Sequence, residues 1–316
     1  MTCQSEAAAI PSRPPKKKTP SFYLAADSEW DRGRPDPWLS TQFACESGAV
    51  VFMTPDVRAP VRGRLERAAG ESGVRLVFRH RDDGTNLLGQ ALDLLGVDVP
   101  VVRLLLFYSP KDVEHAVGWD RFRPAIDKGN VRQRNGLSGK LQAGRTVILK
   151  DLSGWAGKTS LLTFATSLGL PCEDKGAMDA CKACMYQGLC GRPEDFLRYG
   201  VGDLRLLLGL LTAFVTHFRT LQHECRGMPE EGLWAADDIP MTSGALVART
   251  FERWLHGQAG DRDVFRFALR KCGILGPDDR RYAQSLPAYL DVVERYRSAA
   301  AACSACLYCG RTSQAA

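Results

Sequence analysis

The sequence predicts a mixed α/β fold, a sheet flanked by helices, because strand patterns come first and alternate with helix patterns later. Near the start, FYLAA and the two halves of LSTQFACESGAVVFMT are short apolar runs typical of buried strands. Apolar runs of strand length follow at 73–80, 99–109 and 144–152, separated by segments of helical periodicity. This order is typical of a sheet of mixed strand direction that carries helices on its faces.

Local signals support the individual elements. The two strands within LSTQFACESGAVVFMT would form a hairpin that turns near Glu46–Gly48, beside the first strand. Pro60 lies where a helix over 58–71 would begin, since proline is tolerated in the first turn of a helix. The remaining helices are predicted over 85–97, 158–170 and 193–222, the last as one helix or two in succession.

The chain divides into three regions by composition. Residues 1–20 are rich in Pro, Ser and Lys and predict a disordered basic tail. Residues 21–225 contain the strands and helices of the main domain. Residues 226–316 predict a small helical appendage with a Cys-rich tail, its helices at 244–258, 261–273 and 280–301.

The composition is that of a globular protein with an undetermined partner. Of 316 residues, 45% are hydrophobic and 25% are charged, so a large core can be buried. The net charge of +6 permits a nucleic-acid partner without requiring one. The longest apolar stretch, at 204–215, contains Arg205 and is too short to span a bilayer, so it predicts a buried helix. With no signal-peptide pattern either, we expect a cytoplasmic protein with no membrane partner.

Two carboxylates stand at the end of the first predicted strand. Asp27 and Glu29 are separated by one residue, so both side chains point to the same face of the strand. Mg²⁺ prefers carboxylate and water ligands, and such a pair can form half of a metal site. Acidic residues at a strand end can also simply be solvated, so the pair alone does not decide between these interpretations.

A tyrosine and an aspartate share one face of the long predicted helix. Tyr199 and Asp203 are four residues apart, which places them on the same side of a helix. Gly200 and Gly202 lie between them, although a glycine in a helix interior costs about 1 kcal/mol relative to alanine. That cost is accepted where the backbone lies close to a ligand or to another element.

A third acidic motif, His80-Arg81-Asp82-Asp83-Gly84, follows the predicted strand VRLVF. It places a carboxylate at a strand-to-helix junction. Asp82 or Asp83 would cap the helix that follows, and capping is compatible with metal binding.

In this order, the motifs resemble those of the DEDDy 3′–5′ exonucleases, especially the proofreading domains of protein-primed family B DNA polymerases. Asp27 and Glu29 match the first motif, and Tyr199 and Asp203 match the third. The middle motif of the family usually has Asn, two or three residues, an aromatic residue and then Asp. In this sequence His80 lies near the Asn position, Asp82 replaces the aromatic residue, and Asp83 matches the catalytic Asp. The likeness covers about residues 21–225, and the polymerase signatures are absent from the sequence.

The resemblance implies an RNase H-like fold that hydrolyses the terminal phosphodiester at a single-stranded 3′ end of DNA, with a polymerase acting in trans as a further partner. It implies two Mg²⁺ or Mn²⁺ ions held by Asp27, Glu29, Asp83 and Asp203, with Tyr199 orienting the attacking water. Auxiliary residues near the site would be Asp82, Lys150 and Asp151. Contacts to the nucleic-acid backbone are expected from basic residues near the motifs: Arg32, Arg34, Arg79 and Arg81.

Cysteine spacing offers a structural zinc site as an alternative role for part of the chain. The sequence contains 11 cysteines, an odd number that argues against a disulfide framework. Cys181-x-x-Cys184 and Cys303-x-x-Cys306 have the spacing of zinc ligands. Free, partly buried thiols are the simpler interpretation.

Two other functions remain open from the sequence. The stretch GWAGKTSLL resembles a P-loop, but Leu152 occupies the position where the first glycine of that motif belongs. The fold can also be retained without the chemistry, as a module that binds nucleic acid or a polymerase. Convergence of Asp27, Glu29, Asp83 and Asp203 in the folded chain would favour the enzyme over this module, and divergent carboxylates would favour the module.

Overall fold

The structure is a computed structural model that describes residues 22–108, 110–133, 136–156, 159–172 and 178–226, together with residues 236 and 239. The chain divides into two compact units, residues 1–237 and 238–316. The elements given below belong to the first unit. The predicted tail over 1–20 and the three predicted helices between 244 and 301 lie outside the described residues.

A mixed sheet forms the centre of the first unit. Its strands are β1 (Phe22–Trp30), β2 (Trp38–Cys45), β3 (Gly48–Met53), β4 (Val74–Phe78), β5 (Val101–Leu106), β6 (Val131–Arg132), β7 (Ser138–Gln142) and β8 (Thr146–Asp151). Their order across the sheet is β4-β3-β2-β1-β5-β8-β7-β6. β1, β2 and β3 are antiparallel neighbours, whereas β5 runs parallel to β1 and β8 runs parallel to β5. The predicted mixed α/β fold is confirmed, and the sheet is consistent with an RNase H-like fold.

Helices cover both faces of this sheet. They are α1 (Ala59–Glu71), α2 (Leu87–Leu94), α3 (Pro110–Val117), α4 (Trp119–Asp127), α5 (Ser153–Ala156), α6 (Leu161–Ser167), α7 (Met185–Gly191) and α8 (Pro193–Arg226). One core contains Leu24 and Ala26 of β1 together with α2, α3 and α4. The core on the other face is formed by α1, α7 and the start of α8. Since side chains alternate along a strand, Asp27 and Glu29 point to the face that carries α8.

Most predicted elements of the main domain are found close to their expected positions. The hairpin turns between Cys45 and Gly48, which are paired at the ends of β2 and β3. The region 193–222 belongs to one continuous helix, α8. The sequence predicts no element between 110 and 143, whereas the structure has α3, α4 and the β6–β7 hairpin there. α3 and α4 are short, and Pro124 inside α4 obscures its helical signal.

α8 is the one helix in the described part of the chain whose length and apolar composition would suffice to cross a membrane. A core helix of a globular domain passes the same test, so this is weak evidence for a membrane segment. Leu204, Leu207 and Leu210 are buried against the domain, but only 39% of the apolar window is buried. The sequence-based expectation of a stretch too short to span a bilayer is wrong in length, because it lies within a longer apolar helix, and the expectation of a buried helix is met only in part.

Candidate metal centre

Three carboxylates converge where α8 crosses β1. One oxygen each of Asp27, Glu29 and Asp203 lies within 4.8 Å of the other two. The two residues of β1 are half-buried, and Asp203 is 5% exposed. The first and third sequence motifs are therefore brought together in space.

Strand pairing fixes the two carboxylates of β1. Gln42 lies opposite Asp27 on β2, and Ser40 lies opposite Glu29. Gln42 Nε2 donates a hydrogen bond of 3.3 Å to Asp27 Oδ2. The pairing register shifts between Glu29 and Trp30, and irregularities of this kind redirect side chains at the ends of strands.

Gly200 allows α8 to approach the sheet closely at this point. A Cβ atom on Gly200 would lie 2.6 Å from Gln42 Nε2, closer than two such atoms can come. Gln42 is 1% exposed, so it has little room to move aside. The close approach accounts for a glycine between Tyr199 and Asp203, and it brings Asp203 against the β1–β2 pair.

Tyr199 accompanies Asp203 on the same side of α8. The two residues are one helical turn apart, and both are buried. Tyr199 packs in the core between α8 and the sheet, together with Leu39 and Val201. This packing fixes the position of the phenol ring one helical turn before Asp203.

The donor set fits a hard divalent cation. The three residues offer only carboxylate oxygens, the ligand type that Mg²⁺ and Mn²⁺ prefer. Simultaneous ionisation of three carboxylates this close together is unfavourable, and a bound cation would offset that cost. Asp27, Glu29 and Asp203 are the residues that would hold it.

The third acidic motif is not part of this group. Asp82 and Asp83 are exposed and do not belong to the cluster of three carboxylates. The Asp82 carboxylate accepts a 2.7 Å hydrogen bond from the Thr85 hydroxyl, which lowers the pKa of Asp82 below its ordinary value. The N-cap of α2 is Asn86, whose side chain accepts a hydrogen bond from Gly89 N at 3.1 Å. Neither aspartate therefore caps this helix.

A different aspartate, which the sequence did not single out, lies near the carboxyl ends of the parallel strands. Asp112 is in the first turn of α3 and is 2% exposed. α3 follows β5, the parallel neighbour of β1, and packs against β1. One turn later, the His115 ring meets the Trp30 ring edge-on, with centroids 6.0 Å apart. Pro110, followed by an acidic residue just after a strand, is a helix-start signal that could have revealed Asp112.

His115 and Arg81 stabilise the end of α3. Burial lowers the pKa of His115 from 6.5 to about 3, with smaller contributions from the cations of Arg81 and Lys111. The imidazole is therefore neutral at pH 7. Arg81 donates hydrogen bonds to the carbonyl oxygens of Glu114 and His115, at 2.9 and 3.4 Å, and so caps the last turn of the helix.

Most of the arginines predicted to bind nucleic acid are occupied by contacts within the fold. Arg34 pairs with Asp56 at 3.4 Å and stacks over the Tyr186 ring, 4.1 Å from its centroid. Arg79 donates hydrogen bonds to Gln90 and to a backbone carbonyl, and Arg81 caps α3. Arg32 is exposed.

Asp151 is a structural carboxylate that joins three segments. It is 1% exposed. Its Oδ1 accepts hydrogen bonds from the backbone N of Tyr108 and of Ser153, each at 3.0 Å, and from the Ser153 hydroxyl at 2.6 Å. Its Oδ2 accepts one from Leu137 N at 2.8 Å. Asp151 thereby ties the ends of β5 and β8 to the start of β7, and it lies outside the acidic cluster.

Lys150 is also part of the packing. Its side chain is buried and points between two aromatic rings, with Nζ 5.8 Å from the centroid of Tyr23 and 5.5 Å from that of Trp155. The ammonium group donates a hydrogen bond to the carbonyl oxygen of Ala236. Lys150 thus anchors the chain beyond α8.

The zinc and P-loop alternatives fall partly outside the described residues, namely at Cys303, Cys306, Gly157 and Lys158. Where the structure does describe the chain, Cys181 and Cys184 do not gather with a third ligand, and the Cys181 sulfur accepts a hydrogen bond from Arg192 at 3.2 Å. The acidic cluster is the one group of metal-ligating side chains found in the described ranges.

In comparisons with known proteins, no protein-family model matches the chain and no curated protein sequence matches it.

Proposed function

We propose that the protein is a metal-dependent 3′–5′ exonuclease that removes nucleotides from single-stranded DNA ends in the cytoplasm, with a polymerase as partner in trans. The observation that carries the proposal is the convergence of Asp27, Glu29 and Asp203 within 4.8 Å. A strand motif and a distant helix motif would not be expected to meet in this way if each were merely solvated. Tyr199, one helical turn before Asp203, would supply the hydroxyl that the resemblance to DEDDy exonucleases implies.

Each residue of the centre has a role in this proposal. Asp27, Glu29 and Asp203 would hold two divalent cations, which would supply activation of water and neutralisation of charge on the phosphate. Tyr199 orients the attacking water, because a phenol both donates and accepts hydrogen bonds. Gln42 holds the Asp27 carboxylate through its 3.3 Å hydrogen bond.

We assign the fourth acidic position to Asp112 in place of Asp83. Asp112 follows a strand beside β1 and is buried, whereas Asp83 follows the edge strand β4 and is exposed. Tyr108 then lies at the Asn position of the middle motif and Lys111 at the aromatic position, so this match is also partial. Its support is the position of Asp112 shortly after β5, the parallel neighbour of β1. α3 itself packs on the sheet face opposite to α8, and Asp112 is not among the three carboxylates that lie within 4.8 Å of one another.

Asp112→Asn is expected to lower the rate of hydrolysis by about 10- to 100-fold, the usual loss when a group that supports a metal site is removed. Asp83→Asn is the matched control, and its rate should stay within about twofold of the native rate, since surface changes are commonly neutral. Both rates are measured under single-turnover conditions on one labelled oligonucleotide. The opposite ranking would return the fourth position to Asp83.

The exonuclease proposal is tested with a 5′-labelled single-stranded DNA in the presence of Mg²⁺ or Mn²⁺. The expected result is a ladder that shortens from the 3′ end, stops with EDTA and is lost in the double variant Asp27→Ala/Glu29→Ala. A circular single strand should remain intact, because it has no end. An RNA of the same sequence shows whether the protein prefers DNA or RNA as its substrate.

The binding module is the alternative outcome of the same experiment. If the folded native chain shortens no substrate with either metal, but retards the labelled DNA in a gel, then the fold binds nucleic acid without cleaving it. Thermal unfolding of the same samples shows that the chain is folded.

A further inference from the structure

Tyr108 combines an unusual backbone conformation with an exposed ring. Its φ is 61°, and it is the one described residue other than glycine with a positive φ. The left-handed region is disfavoured for residues with a large side chain, and Gly or Asn occupies it more readily. The residue is 75% exposed, so burial of the ring does not explain the choice of tyrosine. Residues held in such conformations are concentrated at functional sites.

The turn that contains Tyr108 is held by the buried carboxylate of Asp151. Tyr108 N donates a 3.0 Å hydrogen bond to Asp151 Oδ1, and the same carboxylate accepts hydrogen bonds from Leu137 and Ser153. Because Asp151 also bridges these two segments, the backbone of Tyr108 cannot relax without disturbing them. The backbone that carries the ring is therefore held in a fixed position.

Strand register places the backbone of Tyr108 toward the end of β1 that carries the acidic residues. Leu105 of β5 pairs with Ala25 of β1 in parallel register, and Tyr108 follows Leu105 by three residues. Asp27 and Glu29 follow Ala25 by two and four residues. With a rise of about 3.3 Å per residue and strands about 4.8 Å apart, the Tyr108 backbone lies within roughly 10 Å of this part of β1.

We propose that Tyr108 is a stacking platform for a base of a single-stranded nucleic acid whose 3′ end lies at the acidic cluster. This inference rests on the proposed function and names the residue that would select its single-stranded substrate. An exposed aromatic face binds any base by stacking, so the contact tolerates all sequences. A base within a duplex already has both faces covered by its neighbours. The platform therefore selects unpaired ends.

Three substitutions separate the ring from the backbone turn. Tyr108→Asn removes the ring and suits the left-handed conformation, so the turn is retained. Tyr108→Phe and Tyr108→Trp keep an aromatic face. Binding of a 5′-fluorescein oligo-dT of ten nucleotides is measured by anisotropy in EDTA, where hydrolysis is excluded. We expect Tyr108→Asn to weaken binding about 10- to 100-fold, whereas the aromatic variants stay within about threefold.

A set of oligonucleotides, each with one abasic site, locates the stacked base. In the native chain, an abasic site at one or two positions near the 3′ end should weaken binding, and that penalty should vanish in Tyr108→Asn. Binding of Tyr108→Asn within twofold of native, or abasic penalties that persist in it, would overturn the platform.

The two proposals fail in distinguishable ways. Binding that depends on Tyr108, without hydrolysis in Mg²⁺ or Mn²⁺, supports the platform and overturns the exonuclease. Hydrolysis from the 3′ end with no effect of Tyr108→Asn on affinity overturns the platform alone. A chain that neither binds nor hydrolyses the oligonucleotides overturns both.

Discussion

Asp203→Asn is expected to lower metal-dependent hydrolysis about 10³-fold and to stabilise the metal-free protein. A bound metal contributes several kcal/mol to the transition state, and each 1.36 kcal/mol corresponds to tenfold in rate. In the absence of metal, the same change removes one of three carboxylates that lie within 4.8 Å of one another. With less repulsion between like charges, we expect the Tm in EDTA to rise by about 2–4 °C, corresponding to about 1 kcal/mol.

The matched control is Asp195→Asn in the same helix. Asp195 lies in the first turn of α8 and pairs with the exposed Arg198 at 3.2 Å. Its removal should leave hydrolysis unchanged and lower stability slightly, because an acidic residue at a helix N-terminus is favourable by about 0.3–1 kcal/mol. Mg²⁺ should raise the Tm of the native chain and of this control, but much less that of Asp203→Asn. If Asp203→Asn hydrolysed the substrate at the native rate, the acidic cluster would not be the catalytic centre.

Gly200→Ala is expected to destabilise the fold and to lower hydrolysis together. The added Cβ would lie 2.6 Å from Gln42 Nε2, so α8 or Gln42 must move. Overpacking of this kind costs about 1–3 kcal/mol, while the gain in helix propensity offsets about 1 kcal/mol. A displaced Gln42 no longer holds Asp27, and a shift of about 1 Å at a reacting centre can cost about 10²-fold in rate. Thermal unfolding and single-turnover hydrolysis measure the two effects.

Gly209→Ala tests whether the effect is specific to the crossing with the sheet. In the same helix, a Cβ on Gly209 would meet Leu170 at 3.5 Å, an ordinary contact. We expect this variant to be as active as the native chain and at least as stable, because alanine favours the helix. In the double variant Gly200→Ala/Gln42→Ala, the Gln42 side chain that clashes with the new Cβ atom is shortened. This variant should recover helix packing but not the hydrogen bond to Asp27. Equal behaviour of the two glycine variants would show that close approach at Gly200 is unimportant.

Local periodicity was sufficient to predict the site residues that lie on regular strands and helices. Asp27 and Glu29 share a strand face and Asp203 lies on one helix face, so their placement follows from two-residue and four-residue spacing. The fourth acid could not be placed in this way. The family resemblance implies Asp83 for this position, and the sequence predicts no element over α3, the eight-residue helix that contains Asp112.

The roles of the charged residues depended on contacts that spacing does not encode. Arg81 caps α3 from a distant loop, and Asp151 gathers backbone groups from three segments. Such partners are distant in sequence, and short-range patterns contain no information about them. Gly200 is an intermediate case. A glycine in a helix interior predicted that the backbone of α8 lies close to another element, but the sequence did not identify Gln42 as the neighbour.

The position of the acidic centre in the chain has a consequence for how the protein folds. β1 and α8 are the first and last regular elements of the described part, and each contributes only part of the centre. During synthesis, the strands emerge well before α8, so a nascent chain holds Asp27 and Glu29 without Asp203. Contacts of such high sequence separation form slowly. Under the proposed function, hydrolysis is therefore expected only after α8, the last helix of the described part, has docked onto β1, and partly folded chains would lack a complete acidic centre.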